Sequence, residues 1–177
     1  GDYIVMTKGA GIEGTAILFS EKEKELQNLL DQETINKGKQ FWKMVSVFQE
    51  GKIALSFHPH ALHDATEGGV LGAIWEVCAG RGLGFEIEEE KVLVYPETRI
   101  LAQLLNLDPL KLISSGTLII FTPQPLPLLP ALREVVPAEV IGKVKGDPAK
   151  ILIRQSGERE EIKECPQDEL WRIMQSA

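Results

Sequence analysis

The spacing of apolar residues along the chain predicts strands that alternate with helices. Tyr3–Thr7 is an apolar, β-prone run, and a helical pattern of apolar positions extends from Thr15 to about Leu30. A second strand is predicted at Ala61–Leu62, shortly before a helix from Gly69 to about Ala79. Each of these two strands is therefore followed by a glycine-containing turn and then by a helix.

The remainder of the pattern becomes richer in hairpins toward the C-terminus. We therefore predict an α+β fold in which a mixed β-sheet is flanked by helices, within a single domain. The other predicted elements are a helix at Thr34–Gln49 that Gly51 ends, a strand at Leu83–Glu88, helices at Pro96–Leu105 and Leu110–Ile113, a central strand at Thr117–Phe121, a helix at Leu128–Val135, strands at Glu139–Lys145 and Lys150–Arg154, a hairpin return over Gln155–Ile162 and a helix at Gln167–Met174.

The turn after the second predicted strand is the first candidate site. It offers a carboxylate (Asp64), a hydroxyl (Thr66) and two glycines (Gly68 and Gly69). Glycines let a backbone approach a ligand closely, and the helix that follows directs free N–H groups and its positive dipole end into the same space. These features suit a phosphate-bearing ligand, with the carboxylate free to bind a cation. The alternative is an ordinary strand-to-helix connection in which Asp or Thr caps the helix.

The turn after the first strand is the second candidate. Gly9, Gly11 and Gly14 match the dinucleotide spacing Gly-x-Gly-x-x-Gly, between Lys8 and Thr15. In a Walker phosphate loop the lysine follows the glycines, whereas here it precedes them. A dinucleotide site also needs an acidic residue at the end of the next strand, and the next residues are predicted as helix. A flexible entry turn is the alternative, although two strand–glycine–helix junctions in one short chain favour a site.

Composition restricts the classes of function. The chain has 177 residues, of which 44% are hydrophobic and 25% charged, which is enough for one domain with a substantial core. The net charge of −7 argues against a general nucleic-acid or anionic-membrane binder. Two cysteines without a CxxC motif indicate a reduced, cytoplasmic setting. We find no spanning apolar run or signal peptide, and the Gly-Asp start suggests a piece of a longer protein.

Three histidines and one cysteine invite other chemistry. His58, His60 and His63 lie close to Asp64, which suggests zinc. A strand would place His58 and His60 on one face and His63 on the other, so we predict no metal site here. Cys165 has no histidine near it in sequence to lower the pKa of its thiol, so we do not expect it to act as a nucleophile.

Three segments in a fixed order suggest a family. Lys8–Thr15, His63–Gly69 with its helix, and Leu112–Leu118 resemble the C-terminal domain of the AIR synthase (aminoimidazole ribonucleotide synthase) superfamily, over residues 1 to about 146. Its members include AIR synthase, formylglycinamidine synthetase, selenophosphate synthetase, thiamine-monophosphate kinase and the hydrogenase-maturation (HypE-like) protein that dehydrates a carbamoyl group. The resemblance implies an ATP-dependent synthase or kinase that activates a carbonyl or amide oxygen by phosphoryl transfer.

The resemblance also implies cofactors, partners and site residues. ATP and magnesium are the expected cofactors, with most magnesium ligands on an N-terminal ATP-binding domain that this chain lacks. That domain and a second copy in a homodimer are the expected partners; neither nucleic acid nor membrane is expected. We expect this domain to be inactive alone. The predicted catalytic residues are Asp64 and Thr66, and the predicted cofactor-binding residues are Gly9, Gly11, Gly14, Thr15, Gly68 and Gly69.

Two positions differ from the hydrogenase-maturation members. Those members usually have an arginine where Glu67 stands, and they end in a cysteine that carries the transferred group, whereas this chain ends in Gln175-Ser176-Ala177. Two hypotheses stand beside the enzyme. The domain could bind a nucleotide or phosphate ligand without catalysis, or it could serve only in structure and oligomerisation.

Overall fold

One mixed sheet contains the seven strands of the computed structural model, which describes residues 1–175. Its strand order is β2-β4-β1-β5-β3-β6-β7. Ser176 and Ala177, on which the comparison of the C-terminal tail depends, lie outside the described residues. The strands are β1 Tyr3–Thr7, β2 Ala61–Asp64, β3 Gly84–Glu88, β4 Leu118–Thr122, β5 Ala138–Lys145, β6 Lys150–Ile153 and β7 Arg159–Glu161.

Helices cover both faces of this sheet. No helix in the part of the chain that the structure describes is long and apolar enough to cross a membrane. The α-helices are α1 Ile12–Glu21, α2 Glu23–Leu26, α3 Gln32–Lys39, α4 Phe48–Leu55, α5 Gly69–Ala79, α6 Pro96–Leu105, α7 Pro125–Arg133 and α8 Glu169–Gln175, with short 3₁₀ helices at Gln40–Met44, Glu89–Lys91 and Pro109–Lys111.

The pairing of the strands confirms the predicted α+β class with a mixed sheet. β1 is antiparallel to both of its neighbours, β4 and β5, and β2 is antiparallel to β4. β3 is antiparallel to β5 and parallel to β6. The apolar run near Thr117–Phe121, predicted as a central strand, forms β4 between β2 and β1.

Alternate residues of β1 separate two parts of the core. Ile4 and Met6 pack in the cluster that contains Leu71 and Ile74 of α5. Val5, between them in sequence, packs with the cluster that α4 and α7 supply on the other face. Because both faces are covered, Ile4, Val5 and Met6 form a continuous apolar run rather than an alternating one, and four of the five residues of the strand are buried.

The prediction of one helix over Thr34–Gln49 is wrong, because the α-helix is interrupted in the middle of that span. α3 ends at Lys39, a 3₁₀ helix follows, and α4 begins only at Phe48. The Lys8 ammonium donates hydrogen bonds to the carbonyl oxygens of Met44 and Ser46, at 2.7 Å each. These two carbonyl groups are therefore used in a tertiary contact. Gly51, predicted to end a helix, lies inside α4, where the packing of this helix on β4 overrides the low helix propensity of glycine.

The helix predicted over Thr15–Leu30 is also corrected, whereas two other predicted helices are confirmed. The helix expected from Thr15 to Leu30 begins earlier, at Ile12, and is interrupted at Lys22. The helices predicted at Gly69–Ala79 and Pro96–Leu105 have the bounds of α5 and α6. Their starts carry strong local signals, a glycine pair in one case and a proline at the first helical position in the other.

A buried ion pair generates a prediction for stability. Lys8 and Glu50 lie 2.7 Å apart and are only 6% and 2% exposed. Glu50→Ala leaves the Lys8 charge buried without its counterion, so we expect the free energy of unfolding in urea to fall by about 3–5 kcal/mol. Glu33→Ala, which breaks the exposed pair with Lys37, is the matched control and should leave the urea midpoint nearly unchanged. Equal effects of the two substitutions would contradict this account.

Candidate functional site

The sheet brings the two predicted turns to the same edge. β1 and β2 run parallel to each other because both are antiparallel to β4, which lies between them. The turns that follow β1 and β2 therefore emerge side by side. The segment 112–118, which leads into β4, enters the sheet between them. Three segments that are distant in sequence thus form one edge, which we call the junction edge.

On one side, the 112–118 segment bonds to the turn after β1. The Gly11 N–H donates to the Ser114 hydroxyl at 2.6 Å, and the Gly14 N–H donates to the carbonyl oxygen of Ile113 at 2.9 Å. The Thr117 hydroxyl donates to the carbonyl oxygen of Gly9 at 2.7 Å. Ser114 and Thr117 are both fully buried, so these bonds are shielded from water.

On the other side, the same segment bonds to the turn after β2. The Ser114 N–H donates to the Ala65 carbonyl oxygen at 3.0 Å, and the Ala65 N–H donates to that of Thr117 at 2.9 Å. The Gly116 N–H donates to Oδ1 of Asp64 at 2.9 Å. Sequence reasoning included Ser114, Gly116 and Thr117 in a family motif but did not predict them as site residues. A Ser-Ser-Gly-Thr run directly before a buried strand is the signal that could have found them.

The glycines of the first turn are explained by packing within the domain. A Cβ atom on Gly9 would lie 2.6 Å from the Tyr95 ring, and one on Gly14 would lie 2.4 Å from Leu112. Gly11 has a φ of +71°, which favours glycine. Thr15 is fully buried, and its hydroxyl lies 2.8 Å from that of Thr98.

In this structure the first turn is closed by contacts within the domain. The N–H groups of Gly11 and Gly14 already donate inside the protein, and Thr15 is out of reach of a ligand in this conformation. The assignment of Gly9, Gly11, Gly14 and Thr15 to cofactor binding stays a prediction, and it would require this turn to rearrange.

One part of the second turn is exposed to solvent, and in the other part the backbone is in contact with neighbouring residues of the domain. Thr66 is exposed, and its hydroxyl makes no hydrogen bond within residues 1–175. Gly68 and Gly69 have φ angles of +78° and +64°, and a Cβ atom on Gly69 would lie 2.7 Å from the carbonyl oxygens of Leu110 and Leu112. The Gly68 N–H, predicted to meet a phosphate, donates instead to Oδ2 of Asp168 at 2.7 Å. The roles of Gly68 and Gly69 toward a cofactor remain a prediction.

Charged groups converge at the junction edge. The Lys8 ammonium contacts the carbonyl oxygens of Met44 and Ser46 and a carboxylate oxygen of Glu50, each at 2.7 Å. Its three donors are therefore committed inside the domain. Gly116 permits this arrangement, because its φ of +99° and its lack of a Cβ atom let its backbone lie close to that of Met44.

Asp64 is half-buried beside this charged cluster. Burial raises the pKa of its carboxyl group, the Gly116 N–H and the nearby Lys8 ammonium lower it, and the carboxylate of Glu13 raises it further. Within residues 1–175, no donor reaches the second oxygen of Asp64. Glu13, in the first turn of α1, has an oxygen that is shielded from solvent and has no hydrogen-bond partner among the described residues. Sequence reasoning missed Glu13, because an acidic residue in a first helical turn is common.

The histidines and cysteines have separate surroundings. His60 lies 2.8 Å from Asp2, and His63 lies 3.0 Å from Glu76. No group of three or more His, Cys, Asp or Glu side chains among residues 1–175 could hold a metal ion. Burial raises the pKa of the Cys78 thiol to about 11 and also raises that of Cys165, so both thiols are protonated at neutral pH.

Comparison with known proteins places the domain in a family. Residues 1–155 match the family model described as AIR synthase related protein, C-terminal domain. The chain belongs to this family. Among curated relatives, carbamoyl dehydratase HypE from Rhodobacter capsulatus is 39% identical over 64 residues, which cover 36% of this chain and 19% of that protein. The HypE protein of Rhizobium leguminosarum bv. viciae is 24% identical over 119 residues, which cover 67% and 32%.

Solved structures agree with this placement. Escherichia coli HypE is 29% identical and superposes with a TM-score of 0.77 over 98% of this chain and 52% of its own. A HypE structure in complex with ATP, at 24% identity, shares the fold with a TM-score of 0.70 over 98% and 52%. This chain therefore spans about half the length of the HypE proteins on which it superposes.

The close approach at Gly116 generates a prediction. Gly116→Ala combines a φ of +99° with a Cβ atom 2.4 Å from the Met44 carbonyl oxygen, so we expect the free energy of unfolding to fall by about 2 kcal/mol or more. Gly157→Ala is the control, since it has a φ of +84° but nothing within 4 Å of the added carbon. It should cost only the backbone strain, and a loss as large as that of Gly116→Ala would contradict the close approach.

The raised pKa of Asp64 generates a second prediction. Because the folded chain raises this pKa above 3.8, the folded state binds the proton more tightly than the unfolded state does. The ionised carboxylate therefore opposes folding at neutral pH. Asp64→Asn keeps an acceptor for the Gly116 N–H and should raise the thermal midpoint at pH 7, with the gain shrinking as the pH falls toward 3.8. A lower midpoint at pH 7, or a gain independent of pH, would contradict this prediction.

Proposed function

We propose that this chain is the C-terminal domain of an ATP-dependent, HypE-like enzyme that activates the oxygen of a small amide or carbamoyl group by phosphoryl transfer. The observation that carries the proposal is the junction edge, where the half-buried Asp64 has one oxygen fixed by Gly116 and the other without a donor in residues 1–175. The names of the HypE relatives as carbamoyl dehydratases, and the ATP in one HypE structure, support it.

The donor atoms at this edge suit the cation of a magnesium nucleotide. Magnesium prefers oxygen ligands and commonly takes one or two carboxylates together with phosphate oxygens. The second oxygen of Asp64 and the unpartnered oxygen of Glu13 are such atoms, and their carboxylates influence each other electrostatically. In this proposal both would hold the cation, and ATP when bound would supply the phosphoryl group.

The remaining side chains have supporting roles in the proposal. The exposed Thr66 hydroxyl is free to donate a hydrogen bond to a ligand oxygen. Asp64, with its raised pKa, is suited to hold or release a proton as well as to bind a cation. We expect an N-terminal domain of the same protein to supply further ligands, because this chain covers only 52% of the E. coli HypE chain. We also expect that domain to form a homodimer, as the family resemblance implies.

One set of observations favours the non-catalytic alternative. Lys8, Gly11, Gly14 and Gly68 all use their donor groups inside the domain. A domain that serves as a phosphate-binding or oligomerisation module without catalysis would show the same internal bonding. The two functions differ in what happens to ATP when Asp64 is changed.

ATP turnover by the intact two-domain protein tests the proposed function. Asp64→Asn should lower phosphate release from ATP by about 100-fold or more, because it removes a charge that contacts the nucleotide cation or transfers a proton. The affinity for ATP should change much less. Asp147→Asn, in an exposed turn, is the matched control and should be neutral. If Asp64→Asn turns ATP over like the wild type, the non-catalytic alternative is favoured.

A further inference from the structure

Lys8 combines two features that each oppose folding. It directly follows β1, and its φ of +52° lies in the left-handed region that favours glycine. Its ammonium group is also almost completely buried, with only 6% of the side chain exposed. The surroundings must offset both the backbone strain and the loss of hydration, so the contacts of Lys8 indicate its role.

The contacts of the ammonium all lie within residues 44–50. It donates to the carbonyl oxygens of Met44 and Ser46 at 2.7 Å each, and it lies 2.7 Å from a carboxylate oxygen of Glu50. These three acceptors use the three donors of an ammonium group, so Lys8 has none left for a nucleotide phosphate. In this conformation Lys8 therefore holds residues 44–50 and does not bind a ligand.

The stability of the fold alone does not require this lysine. A buried ion pair stabilises a protein little compared with apolar residues of similar volume, because the loss of hydration of two charges offsets their attraction. A pair of apolar residues at positions 8 and 50 would therefore serve packing about as well. Only a donor at position 8, however, can fix the carbonyl groups of Met44 and Ser46 by hydrogen bonds.

Residues 44 and 45 in turn lie against the backbone of Gly116. A Cβ atom added to Gly116 would lie 2.6 Å from the Cα atom of Val45, and it would meet the carbonyl oxygen of Met44 as well. That oxygen is one of the two that Lys8 holds. The Gly116 N–H donates to Oδ1 of Asp64 at 2.9 Å. A continuous series of contacts thus leads from the Lys8 ammonium to the Asp64 carboxylate.

We propose that Lys8 is a positioning residue for Asp64, because it holds Met44 against Gly116 and so fixes the place from which the Asp64 carboxylate meets its ligand. The inference rests on the proposed function, in which Asp64 contacts the nucleotide cation or transfers a proton. Lys8 itself touches neither the cation nor the transferred proton. A displacement of a reacting group by about 1 Å can lower a rate by about 100-fold, so a residue that only sets a position can still control turnover.

Amide hydrogen exchange in the 177-residue chain tests the geometric part of the proposal. Lys8→Met combined with Glu50→Gln removes both charges, so no buried charge is left without a counterion. In this double variant the Gly116 amide should exchange at least about tenfold faster, relative to the Ala65 amide, than it does in the wild type. The Ala65 N–H is the internal reference, because it donates to the Thr117 carbonyl oxygen and not to Asp64.

The matched control makes the same two substitutions at an exposed ion pair. Lys37 and Glu33 lie 2.7 Å apart on α3. Lys37→Met combined with Glu33→Gln should leave the relative exchange rate of the Gly116 amide unchanged. Equal acceleration in the two double variants, or no acceleration in either, would overturn the proposal.

ATP turnover by the intact two-domain protein tests the catalytic part. The double variant at positions 8 and 50 should lower kcat by about tenfold or more and change KM for ATP by less than about twofold, because Lys8 places Asp64 and does not touch the nucleotide. A raised KM with an unchanged kcat would mean that Lys8 binds the ligand. Unchanged values of both would mean that it serves only the fold. Either result would overturn the proposal.

A second measurement decides the question if the double variant does not fold. In the wild-type chain at increasing urea concentrations, the amides of Gly116 and Gly51 should lose protection in the same opening reaction, because Lys8 links their two segments. The Gly51 N–H donates to the carbonyl oxygen of Val47 at the start of α4. Separate opening of the two amides would contradict a link through Lys8.

The outcome can be separated from that of the proposed function. If Asp64→Asn leaves ATP turnover unchanged, the catalytic role of Asp64 is removed, whereas faster exchange of the Gly116 amide in the double variant would still show that Lys8 fixes this contact. Conversely, unchanged exchange of Gly116 together with a strong loss of turnover in Asp64→Asn would retain the proposed function and remove the positioning role of Lys8.

Discussion

The hydrogen bonds of the 112–118 segment are the constraint on which the candidate site depends. Through buried Ser114 and Thr117, this segment joins the turn after β1 to the turn after β2, and its Gly116 N–H fixes one oxygen of Asp64. Neither turn bonds to the other through its own backbone. The relative position of Asp64 and Glu13, and therefore any shared ligand, follows from how this segment enters β4.

The fold could be predicted from sequence because its signals are local. Apolar periodicity, the glycine pair before α5 and the proline at the start of α6 indicated strands, helices and a mixed sheet with the right class. The helix expected across Thr34–Gln49 failed because Lys8, 36 residues from Met44, bonds a carbonyl inside the predicted span. Periodicity reports which face is buried, and it carries no information about such distant bonds.

The site was predicted only in part, for the same physical reason. The sequence indicated the turns and Asp64, but the donors of Gly11 and Gly68 are used by Ser114 and Asp168, which lie 103 and 100 residues away. A turn needs glycine whether a ligand or a neighbouring backbone segment lies close to it, so the glycine by itself does not distinguish the two. The structure shows that close contacts within the domain are enough to require glycine at positions 14 and 69. Glu67 stands where the family resemblance leads one to expect arginine, and its carboxylate accepts a hydrogen bond from the indole N–H of Trp171 in α8.

In the proposed function Asp64 and Glu13 share one ligand, the cation of a bound nucleotide, and paramagnetic broadening tests this most directly. Manganese can replace magnesium beside ATP, and it broadens the NMR signals of nuclei close to it. In the intact two-domain protein with this domain labelled, we expect selective broadening at Glu13, Asp64 and Thr66, which Asp64→Asn should abolish. Broadening confined to other residues while ATP remains bound would contradict the central role of the junction edge.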